Sequence, residues 1–246
     1  MKKFVVLVAL LMLATPSFAI EDVKPADEKK PATAEDKFAP GAAQKGWPRK
    51  YTENYINEIT KIYGVTGKDP IIYVALDMLK DTMGEFSRQA ILGNNLSQRP
   101  FKVEFKNLGE IDPNFASFDA IGWKKQTGFI NKKDQLHIFI NPRHKDAPPG
   151  ALSALLAHEA LHQDEFNSLS EETYAWTMEA ATWCEILRLY PESNDTLHPL
   201  VKRENTLKKL FERGNYTDIY IKKTVHSNDG YKNLPATSPG FGFEAL

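Results

Sequence analysis

Apolar residues recur at helical spacing in the first part of the chain with folding potential. Tyr55, Ile56, Ile59, Ile62 and Tyr63 fall on one face, with Thr52 placed to cap the helix and Gly64 to close it. A second stripe of Ile72, Leu76, Leu79, Met83 and Phe86 follows Asp69-Pro70, a cap with proline at the first helical position. It predicts one helix ending at Gly93, with Gly84 as a weak point inside it. The period then changes to two. Phe101-Lys102-Val103-Glu104-Phe105 alternates as a half-buried strand does, and residues 116–123 suit a second strand. Residues 128–130 and 136–140 flank Asn131-Lys132-Lys133-Asp134, which predicts a hairpin. These strands are expected to form a small antiparallel sheet. Helical patterning returns from Pro148-Pro149-Gly150. A further helix starts at a Ser170 cap and stops at Pro191. Another begins at Asp195 or Thr196, buries Leu200, Val201, Leu207, Leu210 and Phe211, and ends at Gly214. From Tyr216 the pattern fades, and residues 236–246 read as an irregular tail. No internal repeat is present.

Composition adds a class and a compartment. A chain of 246 residues, 42% hydrophobic and 26% charged, can bury a substantial core, and the pattern above makes it α+β. The net charge of −1 and the lack of any basic stripe give no footing for a nucleic-acid partner. At the start, Met1-Lys2-Lys3 precedes an apolar run over residues 4–13, and Ser17-Phe18-Ala19 supplies small residues for cleavage after Ala19. Residues 1–19 therefore read as a signal peptide. The run is too short to span a bilayer and no other stretch approaches that length, so no membrane span is expected. The mature chain is expected in a periplasm or outside the cell. Residues 20–46 are rich in Lys, Glu, Asp, Pro and Ala and read as a flexible linker, or a pro-segment without a metal-blocking Cys. The folded domain is expected over residues 47–235. Cys184, the lone cysteine, rules out an internal disulfide and suits a buried thiol.

The chemistry is concentrated in His158-Glu159-Ala160-Leu161-His162. Residues four apart share a helix face, so both imidazoles can address one metal ion, with Glu159 beside them to reach a water. A hydrolytic zinc site needs three protein ligands and an open position. The third must come from downstream, where Glu171, Glu172 and Glu179 lie. Glu172, Trp176, Glu179 and Trp183 share one helical face, so one acid there can ligate and another can support a ligand histidine. Glu171 is expected as a solvated acid in the first turn. Trp176 and Trp183 suit the core. His137, His144 and His198 suit structural or exposed positions.

His-Glu-x-x-His followed by a helix carrying Glu172-Thr173-Tyr174-Ala175 resembles the gluzincin branch of the zincin metallopeptidases. The resemblance runs from about His137 to Trp183. It implies a zincin-like fold, one Zn²⁺, His158, His162 and Glu172 as ligands, and Glu159 as general base. It also implies that the strand at residues 136–140 is an edge that pairs with an extended peptide substrate. Only nine residues separate His162 from Glu172, a tight return, and Glu179 stands as the alternative third ligand. No His occurs over residues 163–172, which excludes the metzincin pattern. Candidates for stabilising the oxyanion are Tyr174, Tyr216, Tyr220 and His226. The expected activity is peptide-bond hydrolysis. A catalytically inactive zinc-site binding module and a metal-dependent amidase acting on cell-wall peptides are the alternatives.

Overall fold

A computed structural model describes residues 46–95, 99–124, 136–162 and 167–237. The segments expected as signal peptide and, but for residue 46, as linker, the strand expected at residues 128–130 with its turn, and the tail from residue 238 lie outside them. The described residues form seven α-helices and one three-stranded sheet, an α+β arrangement.

Helix α1 (Glu53–Tyr63) buries Ile56, Ile59 and Tyr63, and Thr52 caps it by accepting from the Tyr55 N–H. The single helix expected from Asp69 to Gly93 is two: α2 (Pro70–Met78) and α3 (Glu85–Leu92). The break includes Asp81 at φ 62°. At Gly84 a β-carbon would lie 2.5 Å from Leu79 Cδ2 and 3.1 Å from Thr182 Cγ2, so the backbone approaches its neighbours as only glycine allows. The apolar stripe runs through the break because both halves pack on one core. Asp77 ties α1 to α2. Tyr51 and Tyr55 each donate to its Oδ2 at 3.1 Å, Tyr63 donates to Oδ1 at 3.2 Å, and Lys80 lies 2.9 Å away.

The sheet comprises β1 (Lys102–Phe105), β2 (Ala120–Lys124) and β3 (Leu136–Ile140), in the order β1-β3-β2. Strand β2 is antiparallel to β3, but β1 is parallel to it, so the sheet is mixed rather than antiparallel. Alternation along residues 101–105 signals a half-buried strand and carries no information on direction. Residues 136–140 are the central strand, with both sides hydrogen-bonded. They cannot be the edge that receives a peptide, which corrects the expectation. Ile138 and Ile140 face the main core with Val103, while Phe139 packs on the other face with Leu108, Phe118 and Ile121.

Helix α4 (Pro149–Glu159) is the centre of the molecule, with every residue buried. A helix apolar on all sides has no solvent face to offer, and this one is enclosed by its neighbours. Its one small polar residue, Ser153, donates its hydroxyl toward Ala75 O at 2.7 Å and Pro149 O at 2.9 Å. Helix α5 (Leu169–Leu189) packs along α4, and α6 (Pro199–Arg213) packs on α5. Its cap is Ser168, not Ser170: Ser168 Oγ accepts from the Glu171 N–H at 3.1 Å. The amides of Leu169 and Ser170 donate to Pro235 O and Ala236 O at 2.9 and 3.1 Å. The C-terminal segment thus satisfies N–H groups that a helix start leaves without partners. A seventh helix, α7 (Ile219–His226), was not expected. It has two buried apolar residues, Ile221 and Val225, and no side-chain cap, so its sequence signal is weak.

Candidate metal centre

The motif straddles the end of α4. Helical bonding tightens after Glu159: the Leu161 N–H donates to His158 O at 3.0 Å, and the His162 N–H donates to Glu159 O at 3.4 Å. His162 therefore leaves from one short turn beyond the regular helix. The two rings still converge, with centroids 5.0 Å apart and Nε2 atoms 3.0 Å apart.

Helix α5 returns across this end and brings three acids, Glu171, Glu172 and Glu179, against it. Glu172 Oε2 lies 3.9 Å from His158 Nε2, and its Oε1 lies 3.8 Å from His162 Nε2. These three residues offer ligand atoms within 4.8 Å of one another. Tetrahedral ligands about 2.0–2.1 Å from a zinc ion are about 3.3 Å apart, so the donor set is near that size. Glu179, the alternative third ligand, sits elsewhere. Its Oε2 is 2.9 Å from His158 Nδ1, on the other side of the ring from Glu172. Glu171 is not solvated: it is 1% exposed, and its Oε1 lies 2.8 Å from His162 Nδ1. The first turn of α5 faces inward because residues 235 and 236 cover its start. Each histidine is thus held through Nδ1 by a carboxylate, which accepts and never donates when ionised. That fixes the tautomer with the Nε2 lone pair turned toward its counterpart.

Two lone pairs at 3.0 Å call for a positive charge between them. Burial would lower the His162 imidazole, but Glu172, Glu171 and Glu159 outweigh it and push it up to about 10. The carboxylates that favour a proton on His162 equally favour a cation in its place. Burial, above all, pushes the Glu159 carboxyl up; His158 and His162 oppose it, and Glu172 and Glu179 add to it. For Glu179, burial is outweighed by Arg203 and His158, which hold it well below the usual carboxylate range. Glu171 and Glu172 thus crowd the two histidines from one side, and Glu179, held by the guanidinium of Arg203, from the other. A divalent cation would offset the charge of such buried carboxylates.

Three further residues complete the site. Gly122 of β2 passes against the motif, where an added β-carbon would lie 3.1 Å from Glu159 O, 3.3 Å from His162 Cβ and 3.7 Å from Glu159 Oε2. Tyr231, which follows α7, is buried with its hydroxyl bonded to Glu172, and Trp176 Nε1 donates to that hydroxyl at 3.3 Å. Burial and then Glu172 push the phenol well up, so it stays protonated and donates to the carboxylate. Asn167 Nδ2 also donates to Glu172 Oε1. The phenol at the site is therefore Tyr231. Among the four expected oxyanion donors, Tyr216 is 63% exposed, Tyr220 lies against Arg213 and Lys223, His226 is exposed, and Tyr174 packs against the main core. No local signal ties residue 231 to residue 172; the contact follows from the chain's return over α5. Trp183 is fully buried, donating to Asn205 Oδ1 at 3.1 Å, as a core residue should. His144 is buried against Asp119, and His198 caps α6 through its Nδ1.

The chain matches no model of a known protein family, no curated protein and no solved structure.

Proposed function

We propose that the chain is an exported zinc-dependent peptidase with a zincin-like fold of the gluzincin type. The observation that carries this reading is the pair of carboxylate-held histidines, whose Nε2 atoms lie 3.0 Å apart with Glu172 at 3.8 and 3.9 Å. Two imidazole nitrogens and one carboxylate are the donor set of hydrolytic zinc sites, and the surplus of buried carboxylates supports a divalent ion. His158, His162 and Glu172 would hold the ion; Glu171 and Glu179 would orient the histidines, and Tyr231 and Asn167 would orient Glu172. When bound, zinc supplies a Lewis acid that polarises a carbonyl and lowers the pKa of a coordinated water toward about 7.

The chain's own residues account for the rest. Glu159, buried beside both histidines, accepts the proton of the attacking water and passes it to the leaving amine. Among the described residues β2 ends the sheet on the side of α4, and Gly122 lets its backbone lie against Glu159. We place an extended polypeptide along β2, by strand addition, rather than along the central strand. The test is Glu159→Gln: it should retain zinc and lose peptide hydrolysis. Unchanged turnover would remove Glu159 from this role, and a wild-type chain that holds zinc yet cleaves no peptide library would overturn the peptidase reading.

A further inference from the structure

Behind the histidines lies an arginine that no motif points to. Arg203 of α6 grips both oxygens of Glu179: Nη2 lies 3.0 Å from Oε2, and Nη1 donates to Oε1. The same Oε2 holds His158 Nδ1 at 2.9 Å. Nη1 also reaches Glu204 Oε1 at 3.0 Å. On its other side, Arg203 Nε lies 3.4 Å from Asp119 Oδ2. Asp119 is the residue immediately before β2. Its backbone oxygen accepts from the Asn141 N–H at 2.8 Å, and its Oδ1 meets Arg143 Nη2 at 2.6 Å and His144 Nε2 at 2.7 Å. One planar guanidinium therefore spans the carboxylate that orients a histidine and the carboxylate at the root of the edge strand. A lysine, with a single point charge, cannot make that fork.

We propose that Arg203 is a positioning residue that couples the metal centre to strand β2. By fixing Glu179 it sets the orientation and tautomer of His158, and by fixing Asp119 it sets where β2 begins beside Glu159. Metal affinity and the seating of β2 are then linked, and by reciprocity an ion in the site steadies the strand. This inference rests on the metal-centre reading above.

The test uses the mature chain in wild-type, H158A, R203M, R203K and D119N forms. Zinc affinity is measured by competition with a chromogenic chelator, and the imidazole nitrogens of His158 and His162 are followed by ¹⁵N NMR. R203M and R203K should bind zinc about 10-fold more weakly, the lower end of what the loss of a ligand's hydrogen-bonding support costs. The His158 nitrogen signals should move while those of His162, held by Glu171, stay in place. D119N keeps the Arg203–Glu179 grip and should weaken zinc by at least about 2-fold. In hydrogen exchange, zinc should slow the amides of residues 120–122 in the wild type and not in R203M. Should R203M fail to fold, R203K and D119N carry the same comparison. Wild-type affinity in both R203K and D119N would overturn the coupling while leaving the metal centre intact. Equal movement of both histidines would make Arg203 a general scaffold residue and overturn the positioning role. A wild type that binds no more zinc than H158A would overturn the metal reading and this inference with it.

Discussion

Glu171→Gln separates the site as folded from the site as a helical pattern would draw it. Glu171 Oε1 lies 2.8 Å from His162 Nδ1, and the residue is 1% exposed, so no water can replace the carboxylate. A hydrogen bond to a charged group is worth about 1.5–3 kcal/mol. At about 1.4 kcal/mol per factor of ten, that is roughly 10- to 100-fold in the affinity of the ion His162 would hold. Gln retains an acceptor oxygen, so the expected loss is at the lower end, about 10-fold, in the range for supporting partners of metal ligands. A solvated first-turn acid would instead change helix stability by about 0.3–1 kcal/mol and leave zinc binding alone. Chelator competition on E171Q and wild type decides between them. An E171Q affinity equal to the wild type's, in a folded protein, would refute the assignment of Glu171 to His162.

Three other outcomes are expected. Tyr231→Phe removes a donor to buried Glu172 and should weaken zinc binding severalfold with little change in fold, since the ring still packs on Trp176 at 6.2 Å; chelator competition alongside circular dichroism checks this. Gly122→Val forces a side chain toward Glu159 O, 3.1 Å from the ideal β-carbon, and should cost about 1–3 kcal/mol, read from thermal or urea unfolding. Burial would raise the Asp77 carboxyl, but Lys80 and the hydroxyls of Tyr51 and Tyr55 outweigh it and hold it below 3.8. A depressed carboxyl contributes stability above its unfolded-state value and loses it as pH falls through the folded-state value. D77N should therefore be less stable than wild type at pH 7, with the gap narrowing below about pH 4; urea unfolding at the two pH values that shows a constant gap would contradict it.

Much of the helical frame was legible because its signals are local. Thr52, Asp69-Pro70, Gly93 and Pro191 mark ends where the backbone itself turns, and the folded chain keeps those ends. The grouping of His158, His162 and Glu172 was legible for the same reason, as residues on and just beyond one helix and in the first turns of the next. What escaped depends on contacts distant in sequence. Glu171 is buried because residues 235 and 236 cover the start of α5. Residues 136–140 are central because β1 pairs in parallel from the far side, which no alternation pattern encodes. Tyr231 and Arg203 lie 59 and 24 residues beyond the acids they touch, Glu172 and Glu179: Tyr231 lies over the start of α5, and Arg203 meets Glu179 across the α5–α6 packing. Helix α7 was missed because its start, after Asn215 and Tyr216 at φ 54° and 61°, has no capping side chain.

Metal content tests the central claim most directly. Purified chain beginning at Ile20, loaded with zinc and desalted, should hold about one zinc per chain by elemental analysis, as a site with three protein ligands requires. H158A and H162A should hold none at the same protein concentration. Wild-type chain without stoichiometric zinc, or zinc retained undiminished in both variants, would contradict the account.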